Sequence, residues 1–319
     1  MRHLIRKALR EIYRETQPIY VLAVHESTNS WQAQVAIGHR NGPTLYLKLT
    51  KQGPQYYIGG HWVEGRPSVA AEHQLRYESH LPQGVRLAKV ILADDEKRLL
   101  ATEAVPGVNL KSILTKRRPP RTLDLDRYFS LAGQALAVWH WKGEQPRQPT
   151  GIQIQRYLDF SVWNVLVDGL DKSITILDFP GAIAMGSAYE DIATFLHSML
   201  VVRHHPLARI KRLTWWGWPE AFAWFLRGYC EAAHLAPSSL DADAISDGLR
   251  EIVEREKTRY GTRRWNPRYR LEQIWYARIT TDASLSSATM REIVSTAGSR
   301  RRKVDMNSAE AGTAGVVQK

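Results

Sequence analysis

The hydrophobic pattern of this chain changes character at Pro106-Gly107, and any fold has to accommodate that change. Before it, residues 19–24 (IYVLAV), 31–38 (WQAQVAIG) and 44–50 (TLYLKLT) are rich in β-branched and aromatic residues. Turn signals separate them at 25–30 and at 39–43, the second containing Asn41-Gly42, so three antiparallel strands are predicted. Residues 51–67 are dense in glycine and proline and read as a loop or insertion. Ser68 is placed to cap a helix over 69–80, and 87–96 and 98–105 supply two further strands. Beyond Pro106-Gly107 helical spacing dominates, at 124–141, 189–203, 217–234 and 240–258, with a β-rich island at 164–178. The predicted fold class is therefore α+β, a small antiparallel β-sheet lobe followed by a larger, mainly helical lobe.

Composition narrows the partners. The 319 residues carry 44 Lys and Arg against 32 Asp and Glu, a formal charge of +12. The excess lies in 1–14, 203–212, 255–270 and 300–319, and the rest of the chain is net negative. Such patches attract phosphorylated or membrane partners without identifying one, and no nucleic acid is expected. Residues 1–14 set Leu4, Ile5, Ala8, Leu9, Ile12 and Tyr13 along one helical face with basic residues on the other. Such a helix can pack on the protein body or lie on an anionic membrane surface. One cysteine, Cys230, excludes an internal disulfide framework and a Cys-rich zinc module, and it reads as a small buried hydrophobe. With no run of 18 uncharged apolar residues and charges throughout the first 15, a soluble cytoplasmic protein is expected. Expected boundaries are a helix over 1–16, a β lobe over 17–105, a helical lobe over 106–297 and a disordered basic tail over 298–319.

The segment richest in chemistry runs from Leu158 to Pro180. Asp159 stands five residues before Asn164, and Asp178 fourteen after it, around the hairpin-like stretch NVLVDGLDKSITILD. A hairpin returns its ends to one place, so Asn164 and Asp178 can converge. Hard oxygen donors there suit Mg²⁺, which takes one or two carboxylates plus phosphate oxygens and water. Asp159 can then stand beside the ion and accept or orient a hydroxyl proton.

This segment resembles the aminoglycoside phosphotransferase and choline kinase family, of protein-kinase-like fold. The family's loop reads roughly H-G-D-F-x-x-x-N, followed by a hydrophobic-D-F motif. The matching residues here are Tyr157-Leu158-Asp159-Phe160-Ser161-Val162-Trp163-Asn164 and Leu177-Asp178-Phe179. The resemblance implies ATP and Mg²⁺ as cofactors, Asp159 as the catalytic residue, and Asn164 and Asp178 as metal ligands. Further matches follow in the family's order. Tyr46-Leu47-Lys48-Leu49 resembles the strand whose lysine grips the nucleotide phosphates, and Ala71-Glu72-His73-Gln74-Leu75 the helix supplying its carboxylate partner, Glu72, with Glu78 as the second choice. Leu99–Gly107 resembles the strand and hinge whose backbone at Glu103 and Val105 meets adenine. Leu136-Ala137-Val138-Trp139-His140 and Phe225-Leu226-Arg227-Gly228-Tyr229 resemble two later helices. Tyr189-Glu190-Asp191-Ile192-Ala193 resembles the segment whose aspartate braces the catalytic loop.

The departures are equally specific. Tyr157-Leu158 stands where the family has His-Gly, and Pro180 where glycine or glutamate is more common. No glycine-rich loop joins the first two strands; Ser27, Thr28 and Asn29 occupy that turn and are the candidate phosphate contacts. The acceptor implied is a hydroxyl of a small molecule or glycan. A nucleotide-binding pseudokinase or scaffold, a lipopolysaccharide-type sugar kinase and a protein kinase stay open beside it. His140 is expected to pack, His204-His205 to lie on the surface, and Trp215-Trp216-Gly217-Trp218 to pack in the core or form a substrate or membrane surface.

Overall fold

A computed structural model describes residues 18–26, 30–39, 41, 44–50, 55–58, 61–115, 124–141, 153–204, 217–261 and 286–299. In chain order its elements begin with β1 (Ile19–Glu26), β2 (Ser30–Ile37), β3 (Thr44–Thr50), β4 (Gln55–Ile58), β5 (His61–Glu64) and α1 (Pro67–Glu78). Then come β6 (Val85–Leu87), β7 (Val90–Asp94), β8 (Leu99–Glu103), β9 (Val108–Asn109), α2 (Leu110–Leu114), α3 (Leu125–Trp141) and β10 (Ile154–Gln155). The remainder are β11 (Val165–Asp168), β12 (Ser173–Ile176), β13 (Met185–Gly186), α4 (Ala188–His204), α5 (Trp218–Ala232), α6 (Ala242–Gly261) and α7 at 287–299.

The chain divides into two compact units, one comprising Met1–Leu81, Arg86–Gly107 and Thr175–Ala184, the other Pro82–Val85, Val108–Ile174 and Met185–Lys319. An antiparallel-sheet unit and a larger, mainly helical unit make this an α+β protein, the division that the kinase-like resemblance implies. Asp178, predicted within the helical lobe, belongs to the β-rich unit.

The β-rich unit is built on an antiparallel sheet in the order β1-β2-β3-β8-β7. Alternation sends Ala33, Val35, Leu45, Leu47, Leu99 and Ala101 to one face, where they form a buried cluster. Residues 51–67, read as a loop, instead contain the β4–β5 hairpin, with Tyr56 opposite Val63 and Ile58 opposite His61. The signal for it is in the sequence, a pair of glycines between two short aromatic and β-branched runs. Helix α1 starts two residues earlier than the Ser68 cap predicts, with Pro67 in its first turn and Arg66 as an N-cap that makes no side-chain bond. Asp95, in the β7–β8 turn, does the capping, its carboxylate accepting from the Ser68 N–H (2.8 Å) and hydroxyl (2.6 Å). Buried Gln74 ties the helix to the sheet, donating to the Ala88 carbonyl (3.0 Å) and accepting from the Val90 N–H (2.7 Å).

In the helical unit α3 and α5 pack backbone to backbone. A Cβ on Gly133 would lie 1.9 Å from the Phe225 carbonyl oxygen, and one on Gly228 2.0 Å from that of Ser130. Around this contact Phe160, Phe195, Phe222 and Phe225 form a buried aromatic stack, with Phe195 and Phe225 parallel at 4.1 Å. The predicted island at 164–178 is present as β11 and β12, neighbours in one sheet. Helix α7 was not predicted, and it runs to 299, past the expected start of the tail at 298. The predicted N-terminal helix over 1–16 and the tail from 300 lie outside the described residues.

Gly228→Ala is expected to force α3 and α5 apart and to cost about 2–3 kcal/mol, read as a lowered denaturant midpoint, whereas Ala232→Gly costs only about 1 kcal/mol.

Candidate active site

Two constellations are assembled, one in each unit. In the β-rich unit, Leu45 and Leu47 turn into the core and leave Tyr46 and Lys48 on the opposite face of β3. Lys48 sits level with Gln32 of β2 and Leu100 of β8. Its ammonium forms an ion pair with Asp178, which lies 130 residues further on. Both side chains keep about a quarter of their surface, 25% and 26%, so the pair is reachable by solvent. Burial pushes the neighbouring Tyr46 phenol above its ordinary range, with Lys48 opposing and Asp178 adding to the shift.

Asp178 is held by the residues that follow it. Phe179 meets Tyr77 of α1 edge to face at 5.9 Å. The Pro180 carbonyl bonds to Nδ1 of buried His73 at 2.8 Å, and since a carbonyl only accepts, that nitrogen carries the hydrogen. Gly181 donates its N–H to the Tyr56 hydroxyl (3.1 Å) and accepts from the Arg66 N–H (2.7 Å). A Cβ on Gly181 would lie 2.8 Å from two Arg66 backbone atoms, so this approach needs glycine. A cavity of about 20 Å³ beside the ion pair is lined by Tyr56, Arg66 and Arg98. It has room for a water molecule.

In the helical unit the loop from Arg156 to Asn164 presents Asp159 at the surface. The Asn164 side-chain nitrogen donates to the Asp159 carbonyl (3.0 Å) and carboxylate (3.3 Å). With that nitrogen engaged, the amide oxygen is the atom Asn164 has to offer a cation. Phe160 anchors the loop from below, 1% exposed, with Tyr157 at 5.0 Å and Phe195 at 5.6 Å. Ser198 accepts from the Val162 N–H at 3.1 Å. Leu158 is strained, with φ at +70°, a region that side chains avoid and glycine tolerates. Glycine would adopt this conformation without strain.

The strain is held by Asp191, which is fully buried. Its carboxylate accepts from the Tyr157 N–H (2.5 Å) and the Leu158 N–H (3.1 Å), the brace that the resemblance implies. His140 packs, as expected, and it also joins this network. Burial lowers its pKa below the ordinary histidine range, so at neutral pH the ring is uncharged. Nε2–H then donates to Asp191 (3.1 Å), Nδ1 accepts from the Tyr229 hydroxyl (2.9 Å), and Tyr229 accepts from the Trp141 N–H (3.1 Å). Arg156 lies beside them, its guanidinium 2.5 Å from Glu190 and 3.4 Å from Asp191.

The other predicted residues are distributed as follows. Glu72 does not meet Lys48; it is exposed and lies 3.8 Å from Arg76, one helical turn on. The reason is helical phase, because Ala70, His73, Gln74 and Tyr77 occupy the buried stripe of α1 and leave Glu72 and Glu78 outside it. Glu103 is exposed at the end of β8, its N–H donating to the Lys89 carbonyl (2.9 Å) and its carboxylate accepting from the Lys89 N–H (3.1 Å). Val105 is half-buried on the approach to Pro106-Gly107. Ser27, Thr28 and Asn29 lie outside the described residues, as do Trp215 and Trp216. Trp218 packs in the interior at 5% exposure, under the Arg203 guanidinium. Cys230 is buried and its thiol pushed up to about 12, which leaves it unreactive. Tyr56, His73, Arg156 and Tyr229 were not foreseen as positioning groups.

No family model matches this chain, and no curated protein does. Among solved structures it is similar to an aminoglycoside-3'-phosphotransferase of type VIII (17% identity, TM-score 0.44, covering 76% of this chain and 95% of that one). It is similar also to a macrolide 2'-phosphotransferase type I (14%, TM-score 0.44, covering 90% and 96%) and to a glucosamine kinase (14%, TM-score 0.44, covering 82% and 91%). Similarity this distant carries no weight for substrate or chemistry.

Because Leu158 is held at positive φ, Leu158→Gly is expected to leave the unfolding midpoint unchanged or to raise it. Leu158→Val, whose branched side chain tolerates that region least, is expected to lower stability by about 1–2 kcal/mol in the same measurement.

Proposed function

We propose that this chain is an ATP- and Mg²⁺-dependent phosphotransferase acting on a hydroxyl of a small molecule or glycan, in the cytoplasm. The observation that carries the reading is the Lys48–Asp178 pair, a cation suited to phosphate oxygens and a carboxylate suited to a hard metal. Among the described residues no group of three His, Cys, Asp or Glu side chains gathers to hold a metal unaided. A phosphate-bound Mg²⁺ does not need one, and the carboxylate of Asp178 and the amide oxygen of Asn164 are each donors of the kind it takes. When bound, the ion neutralises charge on the phosphates.

Each residue then has a defined task. Lys48 binds phosphate oxygens in exchange for its present partner. Asp159 orients the acceptor hydroxyl and takes its proton as the new O–P bond forms and the bond to the ADP leaving group breaks. Asn164 fixes the Asp159 carboxylate through its amide nitrogen. Catalysis of this kind is mainly positioning and charge neutralisation, which suits a loop braced from below by a buried carboxylate.

A second reading, a nucleotide-binding scaffold without turnover, is favoured by one observation: Glu72, the carboxylate expected to meet Lys48, is exposed and lies 3.8 Å from Arg76. Among the described residues no helix is long and apolar enough to cross a membrane. Association with an anionic membrane, through the basic ends of the chain, remains part of the proposal and not of the site.

The two readings part on one experiment. Thermal-shift titration with ATP, with and without Mg²⁺, is followed by a broad screen of hydroxyl acceptors reading ATP consumption. Phosphotransfer predicts a Mg²⁺-dependent shift and an acceptor whose turnover falls at least about 10²-fold in Asp159→Ala and Asp178→Ala. Binding with no turnover on any acceptor supports the scaffold, and full activity of Asp159→Ala removes that residue from the mechanism.

A further inference from the structure

Arg156 is a buried cation that the reaction proposed above does not use. Its side chain is 9% exposed, on the three-residue run between β10 and Asp159. Nη1 lies 2.5 Å from Glu190 Oε2, and Nε lies 3.4 Å from Asp191 Oδ1, an ionic contact without hydrogen-bond geometry. The space is closed around it, since a Cβ on Gly186 would lie 2.5 Å from Arg156 Cδ. Arginine there is packed as well as paired.

The groups that reach Asp191 come from three directions. From α3 comes the Nε2–H of His140, itself backed by Tyr229 of α5. From the loop come the amides of Tyr157 and Leu158. From the same run comes the guanidinium of Arg156, anchored in turn by Glu190, the neighbour of Asp191 on α4. His140 is neutral at pH 7 and the amides are dipoles, so among these groups Arg156 carries the only full positive charge. A buried carboxylate without a cation is expelled toward its protonated form. Protonated, Asp191 would hold the two amides less tightly, and Leu158 would be released from φ +70° toward the negative values that leucine prefers.

We propose that Arg156 is a positioning residue, the permanent charge that keeps Asp191 ionised and thereby keeps the loop carrying Asp159 in its strained conformation. The role of Asp159 in catalysis rests on the phosphotransferase reading; the clamp itself does not. The direction of Asp191 agrees: burial works to raise its pKa, and His140 first, then the Arg156 charge and the Tyr157 N–H, together outweigh that and lower it. A group with a lowered pKa contributes its stabilisation above the ordinary carboxylate range and loses it as pH falls through the folded value. In the wild type that loss lies below the ordinary aspartate range. Without Arg156 burial is opposed by less, and the loss moves to higher pH.

The test is hydrogen exchange of the peptide 153–165, corrected for intrinsic rates, between pH 5.5 and 7.5 in the full chain. Wild type and Arg156→Lys are expected to keep their protection over this range. In Arg156→Met protection is expected to fall about tenfold toward pH 5.5, one unit of titration. Asp191→Asn, which cannot ionise, is expected to have lost it at every pH. If Arg156→Met does not fold, Glu190→Gln, which frees the guanidinium from its anchor, carries the same readout with a smaller drop. Exchange in the folded variant that is as flat with pH as in wild type overturns the proposal, as does full protection in Asp191→Asn. Where an acceptor supports turnover, the acid limb of the pH–rate profile moves upward in Arg156→Met. Absence of turnover on every acceptor would overturn the phosphotransferase reading and leave the exchange data to decide the clamp.

Discussion

The carboxylate of Asp191 is the interaction on which the loop carrying Asp159 depends. An ionised group with no solvent exposure is costly in a protein interior, by several kcal/mol, unless its lone pairs are satisfied. Here two backbone amides, a histidine N–H and a guanidinium converge on it. The energy of that convergence sustains a leucine in left-handed geometry, and the leucine sets the direction in which the next residue, Asp159, leaves the backbone. Phe160 then points inward, where the stack of Phe195 and Phe225 receives it. Exposed carboxylate and buried ring are thus alternate members of one short run, each fixed by what lies beneath it.

The β-rich unit solves a similar problem with backbone groups. Asp178 is placed by the residues that follow it, Phe179 against Tyr77, Pro180 bound by His73, and Gly181 bound by Arg66 and Tyr56. Arg66 is the N-cap of α1, His73 lies in its middle, and Tyr56 belongs to the β4–β5 hairpin. The hairpin therefore belongs to the machinery that places the carboxylate, although the proline and glycine density of its sequence suggests a connector.

Much of this was legible in the residues because the relevant signals are local. Strand alternation placed β1 to β3, apolar spacing placed α3 to α6, and the run from Tyr157 to Phe179 marked out Asp159, Asn164 and Asp178. What was not legible depends on phase and distance. A carboxylate at Glu72 is a sound expectation from motif order alone. Which residue of a helix turns inward, however, is set by its whole buried stripe, here Ala70, His73, Gln74 and Tyr77, which leaves Glu72 outside. The network of Arg156, Glu190, Tyr229 and Trp141 is assembled from residues up to 88 positions apart. No spacing rule connects them. Leu158 was visible as a departure, and only its dihedral angle explains why the position is demanding.

The attachment of α1 has a mechanical consequence. The helix is pinned at its first turn by Asp95, at its middle by Gln74 and His73, and toward its end by the ring of Tyr77 against Phe179. Turning it about its axis far enough to exchange His73 for Glu72, roughly 100°, would break these pins together. It behaves as a bolted strut and not as a crank. An incoming anion at Lys48 must therefore be met by motion of the lysine's own four-carbon arm, swinging away from Asp178 while the frame that carries both stays still.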